Sequence, residues 1–277
     1  MNYKEFVCAM ETAMKKRMGK EASVYQYDTV KNNGTRRCGL VFRKSEETMA
    51  PTIYLEEFYT QYQEGMSEEE LADSIYNIYQ QVRVKELYPY KDVLDYQKIK
   101  NKIVYKLVHK EMNTDFLKEV PFKEFKDLVI LPYVLFENEE FGIATLQIKN
   151  EHLNSWKVEA EEVFSMAKKN TPQLLPMELF QLTEDMYVMT NSAKNLGAAV
   201  ILYPDSLEYA YKKLEEDFFV LPSSIHEVIL VPQSFGAKIR HLQSIVKEIN
   251  ESEVRPEEIL ANSVYYYAGN EKRLIKC

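Results

Sequence analysis

The apolar positions of this chain change period several times, and each change marks an element. Over residues 3–18, Phe6, Met10, Ala13 and Met14 fall at helical spacing and Gly19 ends the run. Two alternating stretches follow, Ser23–Val30 and Arg36–Arg43, joined by Lys-Asn-Asn-Gly. An Asn-Gly step between such runs predicts a β-hairpin. An apolar strand over 51–55 leads into Glu56-Glu57 and then Phe58, Tyr59 and Tyr62. Ser67-Glu-Glu-Glu70 has the form of a capping box, and Leu71, Ile75, Ile78, Tyr79 and Val82 continue as a helical stripe. Tyr96, Ile99, Ile103 and Leu107 predict another helix over 93–110, with Lys98, Lys102, Lys106 and Lys110 along one side.

Residues 127–137 and 141–148 predict a second hairpin, turning at Asn138-Glu139-Glu140, with Pro132 suggesting an edge or a bulge. Leu153, Trp156, Ala160, Val163, Phe164 and Ala167 mark a helix, followed by a Pro-bearing connection over 171–176. Strands are then predicted over 187–190 and 197–203, a helix through Leu207, Tyr211 and Leu214, and a strand over 227–231. A last helix carries Ile239, Leu242, Ile245, Val246 and Ile249, and 264–267 closes as a short strand. Strand pairs followed by helices point to an α+β fold with a mixed, largely antiparallel sheet and packed amphipathic helices. The pattern is weakest near 111–126, which suggests two lobes, 1–115 and 116–277. One continuous domain, 1–277, is the alternative.

Composition narrows the function classes. Across 277 residues, 45% hydrophobic and 28% charged is ordinary for a globular chain, but 20 Tyr and 13 Phe stand against only 8 Gly. Few glycines leave few phosphate-cradling loops, and the tyrosines should mostly be core or half-buried with a wet hydroxyl. A net charge of −8 argues against a general nucleic-acid binder, although Lys31, Arg36, Arg37, Arg43 and Lys44 make the first hairpin locally basic. Glu5 and Glu11 interrupt any leader-like run, and the longest apolar runs fall far short of the ~20 residues of a membrane span. Cys8, Cys38 and Cys277 are odd in number and far apart, as suits reduced thiols; a cytoplasmic protein is expected.

The chemistry is sparse. His226-Glu227 resembles the opening of His-Glu-x-x-His, which needs a second histidine one helical turn on; Leu230 stands there, in a run that favours a strand. A strand sends neighbours to opposite faces, so a shared metal is not expected. Ser224 lies beside His226, yet no G-x-S-x-G elbow exists, and Gly34 and Gly39 have Walker spacing with Leu40 in the lysine position. Catalytic candidates are therefore His226, Glu227 and Ser224, with Glu56 or Glu57 as a further acid, and no cofactor is implied. Candidates for ligand or partner contact are Glu56, Glu57, Tyr59 and Tyr266. Tyr266 matters because Tyr265-Tyr266-Tyr267 cannot all face one side of a strand.

Tyr187-Val-Met-Thr-Asn191, Gly197-Ala-Ala-Val-Ile-Leu-Tyr-Pro204, Leu221-Pro-Ser-Ser-Ile-His-Glu227 and Asn262-Ser-Val-Tyr-Tyr266 resemble an uncharacterised bacterial family of the domain-of-unknown-function class, frequent in anaerobic Gram-positive gut bacteria. Tyr54-Leu-Glu-Glu-Phe-Tyr59 and the Tyr62-Gln-Glu-Gly65 region extend the likeness over nearly the whole chain. The resemblance implies a cytosolic bacterial protein and no particular activity. The expected function is non-enzymatic binding of a protein or small molecule. The alternative is a hydrolase or small-ligand enzyme with its site near His226 and Glu227.

Overall fold

The computed structural model describes residues 1–44, 50–82, 90–138 and 142–277. The chain forms two compact units, Met1–Tyr90 and Lys91–Cys277. The fold is α+β, and every strand pair among the described residues is antiparallel.

The first unit opens with helix α1 (Tyr3–Met18), which Asn2 and Glu5 cap reciprocally and Gly19, at φ +54°, terminates. Strands β1 (Ser23–Val30) and β2 (Arg36–Arg43) pair over eight residues without a break. Asn33 and Gly34, both at positive φ, turn the hairpin. Strand β3 (Thr52–Tyr54) completes the sheet in the order β1-β2-β3, leaving β1 at an edge. Gly39 lets β3 approach, because a Cβ there would lie 2.8 Å from the Ile53 carbonyl oxygen. Helices α2 (Glu56–Gln63) and α3 (Glu68–Val82) follow, the latter started by Ser67 and Glu70 in the predicted capping box. Phe6, Met10, Met14, Val24, Leu40, Phe42, Leu71 and Ile75 form the buried core.

After the short helix α4 (Tyr90–Val93), the second unit departs from the periodicity. The helix expected over 93–110 is instead helix α5 (Tyr96–Ile99) and strand β4 (Ile103–His109). Ile103, Val104, Tyr105 and Val108 suit a pleated strand, and seven of its residues pair with a longer neighbour, so tertiary pairing overrides the helical spacing. The lysine stripe is therefore not a helix face. Lys106 lies between buried Val104 and Val108, forms no hydrogen bond or ion pair among the described residues, and burial brings its amine down to about 8.

Strands β5 (Lys123–Phe125), β6 (Leu128–Asn138) and β7 (Gly142–Gln147) complete this sheet, with the second hairpin's turn at Glu139-Glu140 outside the described residues. Pro132 marks neither an edge nor a bulge. It stands opposite Tyr105, whose N–H is used elsewhere, and its other side falls where β5 stops and β7 starts. The single helix expected through 153–167 is two, α6 (Asn150–Trp156) and α7 (Ala160–Leu174), broken at Lys157 in the left-handed region. Helix α7 also runs through Pro172, where a connection was expected.

A six-stranded sheet has the order β13-β12-β10-β11-β9-β8. Its members are β8 (Met177–Thr183), β9 (Met186–Asn191), β10 (Phe218–Leu221), β11 (Val228–Pro232), β12 (Tyr265–Ala268) and β13 (Arg273–Lys276). Strands β8 and β13 escaped the sequence reading. Helices α8 (Ser206–Leu214) and α9 (Ile239–Ser252) accompany the sheet. The strand expected over 197–203 is a 3-10 turn, Gly197–Leu202. Gly197 explains it: a Cβ there would collide with Thr190 Oγ1 and the His226 carbonyl oxygen, so the chain is pressed against β9 and cannot extend as a ladder.

Candidate functional site

His226 sits at a knot of three loops. Its Nδ1 accepts the Leu196 N–H at 3.2 Å, and its own N–H donates to Ser224 Oγ at 3.0 Å. Its carbonyl accepts from Thr190 Oγ1 at 2.7 Å. Leu196 occupies the left-handed region, so an acceptor is needed for an N–H that the turn strands. With Nδ1 as acceptor, the network assigns the neutral ring's hydrogen to Nε2, which faces Glu258 Oε1 at 3.7 Å, beyond direct hydrogen bonding. Glu227 precedes β11 and forms no hydrogen bond or ion pair among the described residues. Ser224 is buried, with its Oγ facing a backbone N–H. The three candidates are neighbours in space, but imidazole, hydroxyl and carboxylate do not converge on a common point of bonding. No group of three or more His, Cys, Asp or Glu among the described residues could hold a metal ion.

Tyr266 is on the covered face of β12. Its ring packs 5.3 Å from that of Phe219 beside Leu242 and Val246 of α9, and its hydroxyl donates to Asp217 Oδ2 at 2.6 Å. Tyr265 and Tyr267 are buried on the opposite side. Tyr59 is likewise packed, 5.1 Å from the Tyr3 ring and 5.4 Å from Phe6, with its hydroxyl on the Met1 carbonyl.

Glu56 and Glu57 open α2, where carboxylates suit the helix N-terminus. Glu56 Oε1 accepts the Tyr3 hydroxyl at 2.9 Å and the Cys38 N–H at 2.6 Å. Arg37 Nη1 reaches Glu56 at 3.3 Å and Glu57 at 3.1 Å. Tyr3, Arg37 and Glu56 wall a groove of about 400 Å³ at the hairpin tip, also lined by Asp28, Val30, Arg36 and Cys38. Burial, then the hydrogen bond to Asp28, pushes the Cys38 thiol up to about 12, so it is a protonated donor and not a nucleophile. Burial and Glu56 raise the Tyr3 phenol too. Two of the five basic side chains of the hairpin are ion-paired among the described residues, Arg37 with Glu56 and Glu57 and Lys44 with Glu21 at 3.8 Å, while Lys31 lies over the Tyr54 ring. Arg36, by contrast, forms no hydrogen bond or ion pair among the described residues.

A family of unknown function, DUF5688, matches residues 3–185 and 180–269. The chain belongs to this family. Both the hairpin groove and the His226 knot lie inside the matched residues. No curated protein and no solved structure matches the chain. No helix among the described residues is long and apolar enough to cross a membrane.

The sequence reading missed the outer edge of β1. The Leu55 N–H donates to the Cys38 carbonyl and the Phe42 N–H to the Pro51 carbonyl, so alternate residues of β2 bond towards β3. Arg37, Gly39, Val41 and Arg43 therefore bond towards β1, and the peptide groups of Val24, Gln26, Asp28 and Val30 point outward. Tyr25 and Tyr27, 38% and 48% exposed, and Val30, 65% exposed, flank that row. The alternation of Ser23–Val30 contained the face assignment; strand order, which makes β1 an edge, did not show in it.

Proposed function

We propose that the protein is a non-enzymatic binding protein of the cytoplasm that takes up an extended peptide strand on the outer edge of β1. The observation that carries this reading is an eight-residue strand whose outer backbone edge is unpaired among the described residues, with exposed tyrosines beside it. Such an edge is a ready template for another strand, and native proteins usually blunt it.

Three other edge strands, β4, β8 and β13, are blunted. At β4, Thr171 Oγ1 accepts the Tyr105 N–H at 3.0 Å and Asn170 donates to the Ile103 carbonyl at 2.9 Å. Strand β8 has a register irregularity between Gln181 and Thr183, and Lys213 caps its Leu179 carbonyl. At β13, Lys126 donates to the Leu274 carbonyl. Strand β1 has no bulge, no proline and no lysine, and among the described residues no side chain covers it in this way. Three unpaired cysteines, Cys8, Cys38 and Cys277, support the cytoplasmic assignment.

The test uses random twelve-residue peptides displayed on phage, selected on the full chain, with hydrogen exchange read on the free and bound protein. Enriched peptides should protect the amides of Val24, Gln26, Asp28 and Val30. Gln26→Pro removes one outward N–H that β2 does not use, so it should keep the fold and weaken binding at least tenfold. Enriched peptides that bind Gln26→Pro as well as the parent, or that protect other amides, would overturn the reading.

A further inference from the structure

The groove at the tip of the first hairpin is lined by two charges without an ionic partner among the described residues, one of each sign. Asp28 is exposed on β1, and the partner its carboxylate has is the neutral Cys38 thiol. Arg36 is exposed on β2, across the ladder from Val30. Cross-strand pairing puts Asp28 opposite Cys38 and Val30 opposite Arg36, so the two charges are diagonal neighbours on the same face. Both line the 400 Å³ groove, where every other charged group is engaged: Glu56 with Tyr3, Cys38 and Arg37, and Arg37 with Glu56 and Glu57.

We propose that this pair reads a charge code on the strand bound at β1: an acidic residue, any residue, then a basic residue. This rests on the strand-addition reading above and names the partner that reading leaves open. The occupant is an extended peptide added antiparallel, as every other neighbour in this sheet is. A residue placed opposite Asp28 points to the groove face, where a lysine or arginine gains an opposite-charge cross-strand partner. The residue two positions earlier in the peptide lies opposite Val30, roughly 7 Å along the strand. From there an acidic side chain meets the long guanidinium arm of Arg36 across Val30. The intervening residue turns to the outer face, beside Tyr27 and Thr29, and a β-branched or aromatic side chain fits there.

The inner rim fits a single strand better than a second copy of this chain. Helix α1 packs under β1, and the Gln26 side chain bonds to Glu11 at 2.6 Å and to Cys8 at 3.6 Å. A two-fold β1-to-β1 pairing would bring two α1 helices closer than the 8–10 Å that packed helices need, since strands in a sheet are only about 4.8 Å apart. A lone strand brings no helix with it.

Two end-blocked nonapeptides of identical composition test the code, one containing Thr-Glu-Val-Lys-Thr and one Thr-Lys-Val-Glu-Thr at its centre. Each is labelled and titrated against the full chain by fluorescence anisotropy at low salt. The Glu-first peptide should bind at least fivefold more tightly. The double variant Asp28→Lys with Arg36→Glu, both at exposed positions, should reverse the order. Equal binding of the two peptides, with the β1 amides protected by both, would overturn the code while leaving strand addition standing. No binding by either peptide, with no protection of Val24, Gln26, Asp28 or Val30, would overturn both.

Discussion

Strands β1 and β12 both carry tyrosines, and they treat them in opposite ways. In β12, Tyr265 and Tyr267 are buried, and Tyr266 is half-buried against the cluster that includes Phe219, Leu242 and Val246, with its hydroxyl on Asp217. The Tyr265 hydroxyl donates to Asp127 at 2.6 Å. In β1, Tyr25 and Tyr27 stand exposed with no hydroxyl partner among the described residues. The residue type is the same and both strands are short segments of antiparallel sheet. The difference is position: β12 runs between β10 and β13, whereas β1 has one neighbouring strand among the described residues. A tyrosine-rich strand is therefore core or contact surface according to what lies beside it.

The comparison can be broken at four points. Tyr267→Ala should cost the second unit about 3–5 kcal/mol, as removal of a buried aromatic ring does, measured by urea unfolding. A loss under about 1 kcal/mol would mean that β12 is not core in solution. Thr171→Val removes the acceptor that guards the β4 edge and leaves the Tyr105 N–H buried without a partner. The expected loss is about 1–3 kcal/mol, with faster exchange of that amide. If stability were unchanged, the contrast between a guarded and an open edge would lose its energetic basis.

Tyr266→Phe should cost about 1–2 kcal/mol at neutral pH, because a hydrogen bond to a charged group is lost. The Asp217 carboxylate, aided by burial, holds the Tyr266 phenol up to about 12 in the folded state. An acid raised above its unfolded value near 10 stabilises the fold below that pH and loses its contribution as pH climbs through about 12. The stability gap between parent and Tyr266→Phe should therefore close between those limits; a constant gap would argue against the bond to Asp217. The smallest effect belongs to Tyr27→Ala, which should change stability by no more than about 0.5 kcal/mol, as exposed substitutions do. Its consequence should appear in peptide affinity instead.

Legibility in the sequence followed how local each instruction is. Helix α1, the β1–β2 hairpin and the start of α3 could be read because the stripe of Phe6, Met10 and Met14 ending at Gly19, the Asn33-Gly34 turn and Ser67 with Glu70 act within a few residues. Strand β4 could not, since Lys98, Lys102, Lys106 and Lys110 fall at helical spacing by coincidence, and the deciding partner β6 lies far along the chain. Gly197–Leu202 looked like a strand for a similar reason: its apolar run says nothing of the collision that a side chain at Gly197 would have with Thr190. At the groove, Glu56 and Glu57 were visible as acids after an apolar strand. Arg36 was one of five basic residues, and only its place in the groove beside Arg37, which Glu56 and Glu57 engage, sets it apart.

Pro132 shows how a single missing hydrogen can organise a sheet. Its nitrogen faces the side of β6 served by β5 up to Ile130 and by β7 from Tyr133 onward. Neither partner can slide past it without presenting a carbonyl to a donor that does not exist. The proline thus acts as a stop between two adjoining lanes, fixing where each neighbour ends and so which of their side chains face the core. A donor-bearing residue at 132 would keep the strand but remove the stop, and register slippage of β5 or β7 is the fault to look for in such a variant.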